Sequence, residues 1–311
     1  MRHLFIINPI AGGKKNRSEE VIKEIETFMS NVNEAFEIYI TRAPLDATAK
    51  IRQYGLSEEM LYVYACGGDG TLNECVNGAA NRENIAVTQY ACGTGNDFIK
   101  TFGPENVGKF RDLEALTKGT VKKLDLIDCD GRYGINICSV GIDARVGRDV
   151  HKYSRIPIIG GSTGYVVALL INVIKGVTQS FTITVDGKTE ERVITLACAC
   201  NGQYYGGGFN PIPLALADDG IVEYLIIESV SRLKVAAIVG KYAKGQYKEF
   251  PDIITHYRGG ELKFECKQEF VVNIDGETIS TKSICFKAVH KGINFVVPTG
   301  LILVDGTTRH L

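Results

Sequence analysis

The first third of the chain alternates short apolar runs with segments of helical periodicity. Residues 4–7 form an apolar run of strand length, and Ser18 then precedes apolar residues spaced three and four positions apart. The same patterns predict strands at 36–40, 61–65 and 85–90 and helices at 45–54 and 71–80. This alternation is typical of a parallel sheet that is covered by helices on both faces. We therefore expect an N-terminal α/β domain.

The pattern changes after about residue 122. Helices are predicted only at 164–175 and from Ser231 to about residue 244. Strands are predicted at 123–129, 134–138, 180–185, 193–199, 221–227, 261–264, 270–274 and 284–289. Asp-Gly pairs, which favour hairpins, separate several of these runs, at 130–131, 186–187 and 275–276. We therefore expect a mostly antiparallel second domain, and the last apolar run at 293–297 fits either domain.

The composition narrows the class of protein. The 311 residues carry 35 Lys and Arg against 36 Asp and Glu, which gives a formal net charge of -1. This balance argues against a protein that binds nucleic acid through a net basic field. Charged residues at 23% and hydrophobic residues at 45% are ordinary for a globular protein and exclude a disordered chain.

The cysteines and the apolar segments bear on location. The nine cysteines are scattered and include no Cys-x-x-Cys pair, which predicts reduced thiols that pack as small buried hydrophobes. The first residues show no signal-peptide pattern, and the most apolar window, 156–174, is interrupted by glycines and polar residues. We therefore expect a cytoplasmic protein without a membrane span.

The segment 67–73 carries the first candidate chemistry. It reads Gly-Gly-Asp-Gly-Thr-Leu-Asn, follows a predicted strand and opens a predicted helix. Glycines let a backbone approach a phosphate closely, and the amides at a helix N-terminus favour an anion. An acidic residue in such a loop would repel the ligand unless it holds a cation, so Asp69 predicts a Mg²⁺ site beside nucleotide phosphates. The structural alternative is that Asp69 is a helix cap.

Two further glycine-bearing loops follow other predicted strands. Residues 8–13 read Asn-Pro-Ile-Ala-Gly-Gly, and residues 93–98 read Gly-Thr-Gly-Asn-Asp-Phe. In an open α/β sheet, ligands bind at the carboxyl ends of the strands, so the three loops are expected to converge on one crevice. Phe98 occupies the third glycine position of the dinucleotide fingerprint, so that motif fails. The sequence also lacks a P-loop and the protein-kinase motifs.

In combination these segments resemble the diacylglycerol kinase catalytic family, which includes bacterial lipid kinases, sphingosine kinases and ceramide kinase. The matching stretches span almost the whole chain in the expected order: 8–12, 67–74, 93–98, 136–141, 217–220 (Ala-Asp-Asp-Gly) and 275–277 (Asp-Gly-Glu). The combination is specific. Gly-Gly-Asp-Gly alone is not, because NAD kinases and phosphofructokinases look similar there.

The resemblance implies a fold and a nucleotide site. The fold is a three-layer α/β nucleotide domain over 1–122, completed by 292–311, followed by a β-sandwich-like lipid-substrate domain over 123–291. The residues that would contact ATP are Asn8, Pro9, Ile10, Ala11, Gly12, Thr41, Gly67, Gly68, Asp69, Gly70, Thr71, Leu72, Asn73 and Thr94. Thr41 directly follows the second predicted strand, which places it at another carboxyl end.

The resemblance also assigns the catalytic roles. Asp69, Asp97 and Asp125 would form an acidic network around a catalytic Mg²⁺, partly through water. A helix cap at Asp97 and a strand-edge charge at Asp125 are the structural alternatives. Glu277 would be the general base that accepts the proton of a lipid hydroxyl, with Asp69 as the competing candidate. Without the resemblance, Glu277 reads as an ordinary exposed residue after a hairpin turn.

A second metal site is implied around residue 219. Leu216, Asp219 and Ile221 would hold a structural Mg²⁺ through one carboxylate and two backbone carbonyls, a donor set that suits this ion. A type I turn at 218–220 is the structural alternative.

The implied reaction is transfer of the γ-phosphate of ATP to a lipid hydroxyl, with diacylglycerol as the family's default acceptor and Mg²⁺ as the cofactor. The enzyme would meet its lipid by transient, peripheral contact with a membrane. The open alternatives are a kinase with a soluble substrate, similar to NAD kinases, and a non-catalytic nucleotide or lipid sensor. The sequence leaves the oligomeric state open, a homodimer included.

Overall fold

The computed structural model describes residues 2–11, 17–54, 59–142, 144–146 and 178–302. The chain forms two compact units, one of Met1–Leu124 with Lys291–Leu311 and one of Asp125–His290. The first is α/β and the second is mostly antiparallel β.

A parallel sheet forms the centre of the first unit. Its strands are β1 (Arg2–Ile7), β2 (Ala35–Ile40), β3 (Leu61–Gly67) and β4 (Ile85–Ala91). They lie in the order β2-β1-β3-β4, and Asn294 and Phe295 from the end of the last strand pair in parallel with Ala86 and Val87 of β4. All seven residues of β4 are buried, as expected for an inner strand of a sheet covered on both faces.

The helices of the first unit follow the predicted segments closely. They are α1 (Arg17–Met29), α2 (Asp46–Arg52), α3 (Asp69–Ala79) and α4 (Leu113–Thr117), with 3-10 helices at Phe98–Phe102 and Pro104–Arg111. In α1, Val21, Ile25 and Met29 are buried, which is the predicted apolar stripe. The predicted helix at 45–54 begins one residue later because Leu45 has φ 68, a left-handed conformation outside the helix.

Nine of the described strands make up the second unit, although the first of them begins in the first unit and the last of them ends there. They are β5 (Thr120–Cys129), β6 (Arg132–Gly134), β7 (Ile137–Gly141), β8 (Gln179–Val185), β9 (Lys188–Cys200), β10 (Glu223–Glu228), β11 (Ile254–Arg258), β12 (Glu261–Ile274) and β13 (Glu277–Val297). The order is β11-β10-β9-β7-β12-β13, and β8 pairs with both β9 and β12. Helix α5 (Arg232–Tyr242) follows β10, and a 3-10 helix lies at Tyr247–Glu249.

The three predicted Asp-Gly hairpins are confirmed. In each pair both residues have positive φ, as a type I′ turn requires: 53 and 88 for Asp130 and Gly131, 46 and 80 for Asp186 and Gly187, 51 and 98 for Asp275 and Gly276. Each pair is flanked by directly paired strand residues: Cys129 with Arg132, Val185 with Lys188, and Ile274 with Glu277.

Several predicted strands merge or shift. The runs 261–264 and 270–274 belong to the single strand β12, in which a register shift between Glu265 and Phe270 absorbs the polar residues between them. The runs 284–289 and 293–297 both belong to β13, and β10 begins at Glu223 rather than at 221. The predicted helix 164–175 lies outside the described residues.

Apolar packing accounts for most of the interior. The core of the second unit includes Phe181, Phe264, Phe270 and Phe286, whose rings meet edge to face.

All nine cysteines are free thiols and seven are buried, and burial raises the pKa of the Cys66 thiol well above its ordinary value. Within the described ranges, no helix is both long enough and apolar enough to span a bilayer.

Candidate active site

Parallel register brings the loops of the first unit to one edge of its sheet. Ile7, the last residue of β1, is opposite Ile40 of β2 and Cys66 of β3. Cys66 is in turn opposite Tyr90 of β4. The segments that begin at Asn8, Thr41, Gly68 and Cys92 therefore leave the sheet at the same level, at the carboxyl ends of the strands. This is the edge that the sequence predicts for the ligand.

The glycines of two neighbouring loops are in direct backbone contact. The Gly93 amide donates to the Gly67 carbonyl at 3.1 Å. A Cβ added to Gly93 would lie 2.3 Å from the Gly68 α-carbon, so only glycine fits at position 93. Gly68 is the extended N-cap of α3 and brings no capping side chain. The two loops together form a bare backbone surface beside the N-terminus of α3, which is the environment that binds phosphate in other proteins.

Asp69 links this surface to the following 3-10 helix. Its Oδ1 accepts hydrogen bonds from the backbone N–H groups of Asp97 at 2.7 Å and Phe98 at 3.3 Å. The carboxylate therefore caps the helix Phe98–Phe102. A Cβ added to Gly95 would lie 2.6 Å from Asp69 Oδ2, so the chain needs a glycine there as well. Asp69 and Asp97, two predicted metal ligands, are thus brought together.

The helix that Asp69 caps rests on an aromatic cluster. The Phe98 and Phe295 rings are 5.4 Å apart edge to face, and the Phe102 and Phe295 rings stack at 5.7 Å. The Phe110 ring contacts the Phe102 and Phe295 rings. The position of Asp97 therefore depends on apolar packing that includes the last strand of the sheet.

Asp97 is buried and carries a counter-ion. Its side chain is 8% exposed, and Oδ1 accepts from Lys100 Nζ at 2.5 Å, one turn of the 3-10 helix away. A buried carboxylate needs such a partner. Lys100 gave no signal in the sequence, because an Asp-x-x-Lys spacing on a surface helix is common.

The remaining predicted ATP residues differ in what their side chains offer. Asn8 Nδ2 donates to Thr71 Oγ1 at 3.2 Å, while Asn8 Oδ1 accepts from the Ile10 amide. Thr41 Oγ1 donates to the Ile7 carbonyl at 3.3 Å. Pro9, Ile10 and Thr94 are exposed, Ala11 and Gly70 are half-buried, and Gly12 lies outside the described residues.

Leu72 and Asn73 are placed differently from the other predicted ATP residues. Both are 1% exposed, with Leu72 in the apolar core and Asn73 Oδ1 accepting from Asn77 Nδ2. Since their side chains point into the protein, a ligand at the loop would meet only their backbone.

Two polar residues support the loops, and only Asn96 lies in a motif that the sequence analysis singled out. The fully buried Gln89 donates through Nε2 to Asn96 Oδ1 at 3.0 Å and to the Gly67 carbonyl at 3.3 Å. Asn96 has φ 52 and donates through Nδ2 to the Gly93 carbonyl at 3.0 Å. This network ties the loop at 67–70 to the loop at 93–96.

In the second unit, Asp275 has a structural role that the sequence did not suggest. It is 7% exposed, and its carboxylate accepts from the amides of Ile135, Asn136 and Ile137 at 2.7, 2.9 and 3.0 Å. This caps the segment that enters β7, and it holds the hairpin that presents Glu277. Glu277 is half-buried, and no hydrogen bond or ion pair involves its side chain among the described residues.

Asp125 and Asp219 belong to one charged cluster of the second unit. Asp125 is fully buried, accepts from the Gly220 amide at 2.6 Å and pairs with His290 Nδ1 at 2.8 Å. Asp219 Oδ1 accepts from the Ile221 amide at 3.0 Å, and Asp219 Oδ2 accepts from Arg258 at 3.3 Å. Burial raises the pKa of the Asp219 carboxyl, the charges of Asp125 and Glu223 add to the shift, and the Ile221 amide and Arg258 oppose it.

The donor chemistry at both predicted Mg²⁺ sites fits this cation. Asp69 and Asp97 in one unit, and Asp219 in the other, supply carboxylate oxygens beside peptide groups, and oxygen is the ligand that Mg²⁺ prefers. Burial is the main cause of the raised pKa of Asp219, and a cation bound beside that carboxylate would oppose the shift. Over the described ranges, no three His, Cys, Asp or Glu side chains are grouped closely enough to hold a metal by themselves. Water and substrate oxygens would have to complete either site.

Comparison with known proteins places both halves of the chain. Residues 2–129 match the family model described as diacylglycerol kinase catalytic domain, and residues 136–297 match the one described as YegS C-terminal NAD kinase beta sandwich-like domain. A "Probable lipid kinase YegS-like" from Shewanella frigidimarina is 27% identical over 248 residues, 78% of this chain and 79% of the relative. A "Putative lipid kinase SERP0390" from Staphylococcus epidermidis is 26% identical over 250 residues, 80% of both chains.

A solved structure agrees on the fold. The "Crystal structure of a putative diacylglycerol kinase from Bacillus anthracis str. Sterne" superposes with a TM-score of 0.75 at 24% identity, covering 97% of this chain and 98% of that one. The predicted fold class, an α/β catalytic domain with a β-sandwich-like second domain, is confirmed.

The contact between the glycine loops generates a prediction. We expect Gly93→Ala to lower the free energy of unfolding by about 1–3 kcal/mol, because the added methyl group meets backbone that cannot rotate away. Urea unfolding measures the change. Gly108→Ala is the matched control, since a Cβ there has nothing within 4 Å. Equal stability of the two variants would show that the loops are not in contact.

Proposed function

We propose a lipid kinase reaction for this chain, which belongs to the family defined by the diacylglycerol kinase catalytic domain and the YegS C-terminal domain. In this reaction the γ-phosphate of ATP is transferred to the hydroxyl group of a lipid, with diacylglycerol as the most natural acceptor. The single observation that supports it best is the Asp69 carboxylate, held by two amides beside a bare glycine surface at the carboxyl edge of the sheet. Backbone amides suit phosphate, and the carboxylate suits the cation that accompanies it.

The role proposed for the loops is positional. Phosphoryl transfer needs the triphosphate held in line with the attacking oxygen and its developing charge offset, and little further chemistry. The amides of 68–71 and 94–95 would hold the phosphates, while Asp69 and Asp97 would hold Mg²⁺. When bound, Mg²⁺ offsets negative charge on the transferring phosphate. Lys100 orients Asp97 by pairing with it at 2.5 Å.

Glu277 is the proposed general base. Its place next to a type I′ turn fixes its backbone, and Asp275 anchors that turn through three amides. The Glu277 carboxylate is half-buried, and no side chain among the described residues pairs with it. It can therefore accept a proton from a hydroxyl group.

An apolar pocket in the second unit is the proposed site for the acyl part of the substrate. Its cavity volume is about 50 Å³, and part of it is open to solvent. Among the described residues its walls come from β9, β10, α5 and the Tyr205–Phe209 loop, and almost all of them are apolar. A lipid chain suits such a lining, whereas the polar substrate of an NAD kinase-like enzyme does not.

The first test is direct transfer of phosphate. We expect the protein to move labelled γ-phosphate from ATP with Mg²⁺ into an organic-extractable product in mixed micelles, and Asp69→Asn to lower this rate on the order of 10³-fold. The amide oxygen of Asn still accepts an N–H, so the fold should persist. Asp112→Asn is the control, because Asp112 caps α4 through the Ala115 amide without a proposed role in catalysis.

The outcomes separate the candidate functions. Label that stays in the aqueous phase as phosphorylated NAD would favour the soluble-substrate alternative. No transfer to any lipid of a broad panel would favour a non-catalytic sensor.

A second test addresses the base. Glu277→Gln keeps the shape of the side chain and removes its basicity, so we expect kcat to fall roughly 10²–10⁴-fold while the KM for ATP changes little. Glu190→Gln, an exposed residue of β9, is the control. Unchanged kcat in Glu277→Gln would leave Asp69 as the candidate base.

A third test addresses the pocket. Val239 lines it from α5, and Val239→Phe would fill part of the space. We expect the KM for long-chain lipids to rise roughly tenfold, as overpacking of a well-fitted site predicts, with little change for a short-chain lipid or for ATP. An equal loss for short and long chains would place the acyl group elsewhere.

A further inference from the structure

Helix α5 has an unusual outer face. Val235, Ile238 and Tyr242 are buried on its inner side, where they line the apolar pocket. The outer side would normally be polar. Instead its exposed residues at spacing i, i+4, i+7 are Leu233, Ala237 and Gly240, and Leu233 is 85% exposed. A large aliphatic side chain in water at the middle of a helix face gains nothing for the isolated fold.

Basic side chains flank Leu233 in the sequence and continue past the end of α5. From 229 to 248 the sequence has five basic residues and no acidic one, and all five are exposed: Arg232, Lys234, Lys241, Lys244 and Lys248. Lys241 pairs with Glu249 at 2.5 Å, and the other four have no carboxylate partner in the described chain. Lys234 and Lys248 instead lie over the Phe250 and Tyr247 rings. The face therefore combines an exposed aliphatic group with uncompensated positive charge, although the whole chain is nearly neutral.

We propose that the outer face of α5, together with the segment that follows it, docks the protein on an anionic lipid bilayer, with Leu233 entering the interface and Arg232, Lys234, Lys244 and Lys248 against headgroup phosphates. The inference rests on the proposed lipid kinase function, and it names the surface that would contact the membrane containing the lipid substrate. A helix with basic and aliphatic residues on one face is suited to lie in the plane of a membrane interface. The inner face of the same helix walls the pocket proposed for the acyl chain, so docking brings that pocket next to the lipid.

The charges favour a bilayer over a second copy of the chain. A two-fold contact through this face would place the same four cations opposite their own copies, and repulsion would oppose it. An anionic bilayer offers the opposite charge.

The test is co-sedimentation of the full chain with vesicles of phosphatidylcholine, with and without phosphatidylglycerol. We expect binding to need the anionic lipid and to weaken as salt rises. The variant Arg232→Gln, Lys234→Gln, Lys244→Gln, Lys248→Gln should bind roughly several-hundredfold more weakly at low salt, at about fivefold for each charge. The charge-matched control replaces exposed lysines elsewhere by Gln and should bind as the native protein does: Lys23, Lys188, Lys267 and Lys282.

The aliphatic part is tested separately. Leu233→Ser should weaken vesicle binding roughly tenfold at both low and high salt, because burial of an aliphatic side chain is not screened by ions. Ile302→Ser, at another exposed aliphatic residue, should have no effect. Native-like binding by both α5 variants, or an equal loss in the controls, would overturn the proposal. So would a concentration-dependent dimer in sedimentation that Leu233→Ser dissociates while vesicle binding persists.

A kinase assay on a monomeric short-chain lipid keeps this proposal distinct from the proposed function. If the α5 variants lose turnover on vesicles but keep it on the dissolved lipid, docking is supported. If vesicle binding depends on α5 but no lipid is phosphorylated, the docking surface stands and the proposed reaction fails. If lipid is phosphorylated but the α5 variants bind vesicles as the native protein does, only the docking proposal fails.

Discussion

The geometry of the candidate site depends on one carboxylate, that of Asp69. Its Oδ1 takes two backbone amides from a segment 28 and 29 residues further along the chain, and this fixes the loop after β3 against the loop after β4. The glycines follow from this constraint. Position 95 must leave room for Asp69 Oδ2, and position 93 must allow the two backbones to touch. A residue that looks like an ordinary helix cap in sequence thus sets the distance between the two loops and brings two acidic groups close together.

The sequence was sufficient for the features whose cause is local. Period and run length gave the parallel strands, and parallel strands place their carboxyl ends at one edge, so the convergence of the loops at Asn8, Gly67 and Gly93 could be derived. Asp-Gly pairs gave three type I′ turns, because only residues that tolerate positive φ adopt them. The first and last residues of helices and strands were less predictable than the type of each element. Helix α3 begins at Asp69 rather than at 71, since Gly68 serves as an N-cap without a side chain.

The features that the sequence did not give are contacts between distant residues. Asp275 caps amides some 140 positions away, and Asp125 pairs with His290 across 165 positions. Arg258 faces Asp219 from a neighbouring strand, and Gln89 supports the glycine loops from inside β4. Gln89, Arg258 and His290 stand in no sequence pattern, and the patterns that single out Asp125, Asp219 and Asp275 do not name these partners. Only the fold brings each to its partner, and burial then makes the partner necessary.

The aromatic cluster beneath the Asp69-capped helix has a consequence for biosynthesis. Phe295 contacts the rings of Phe98, Phe102 and Phe110, and Val296 accepts a hydrogen bond from Thr88 across 208 positions. A nascent polypeptide emerges from the ribosome with its N-terminal part first. The segment that supports the loops after β3 and β4 is therefore translated only after the 208 positions that separate Thr88 from Val296. A chain that stopped before Phe295 would contain the residues of these loops and lack the aromatic packing beneath them.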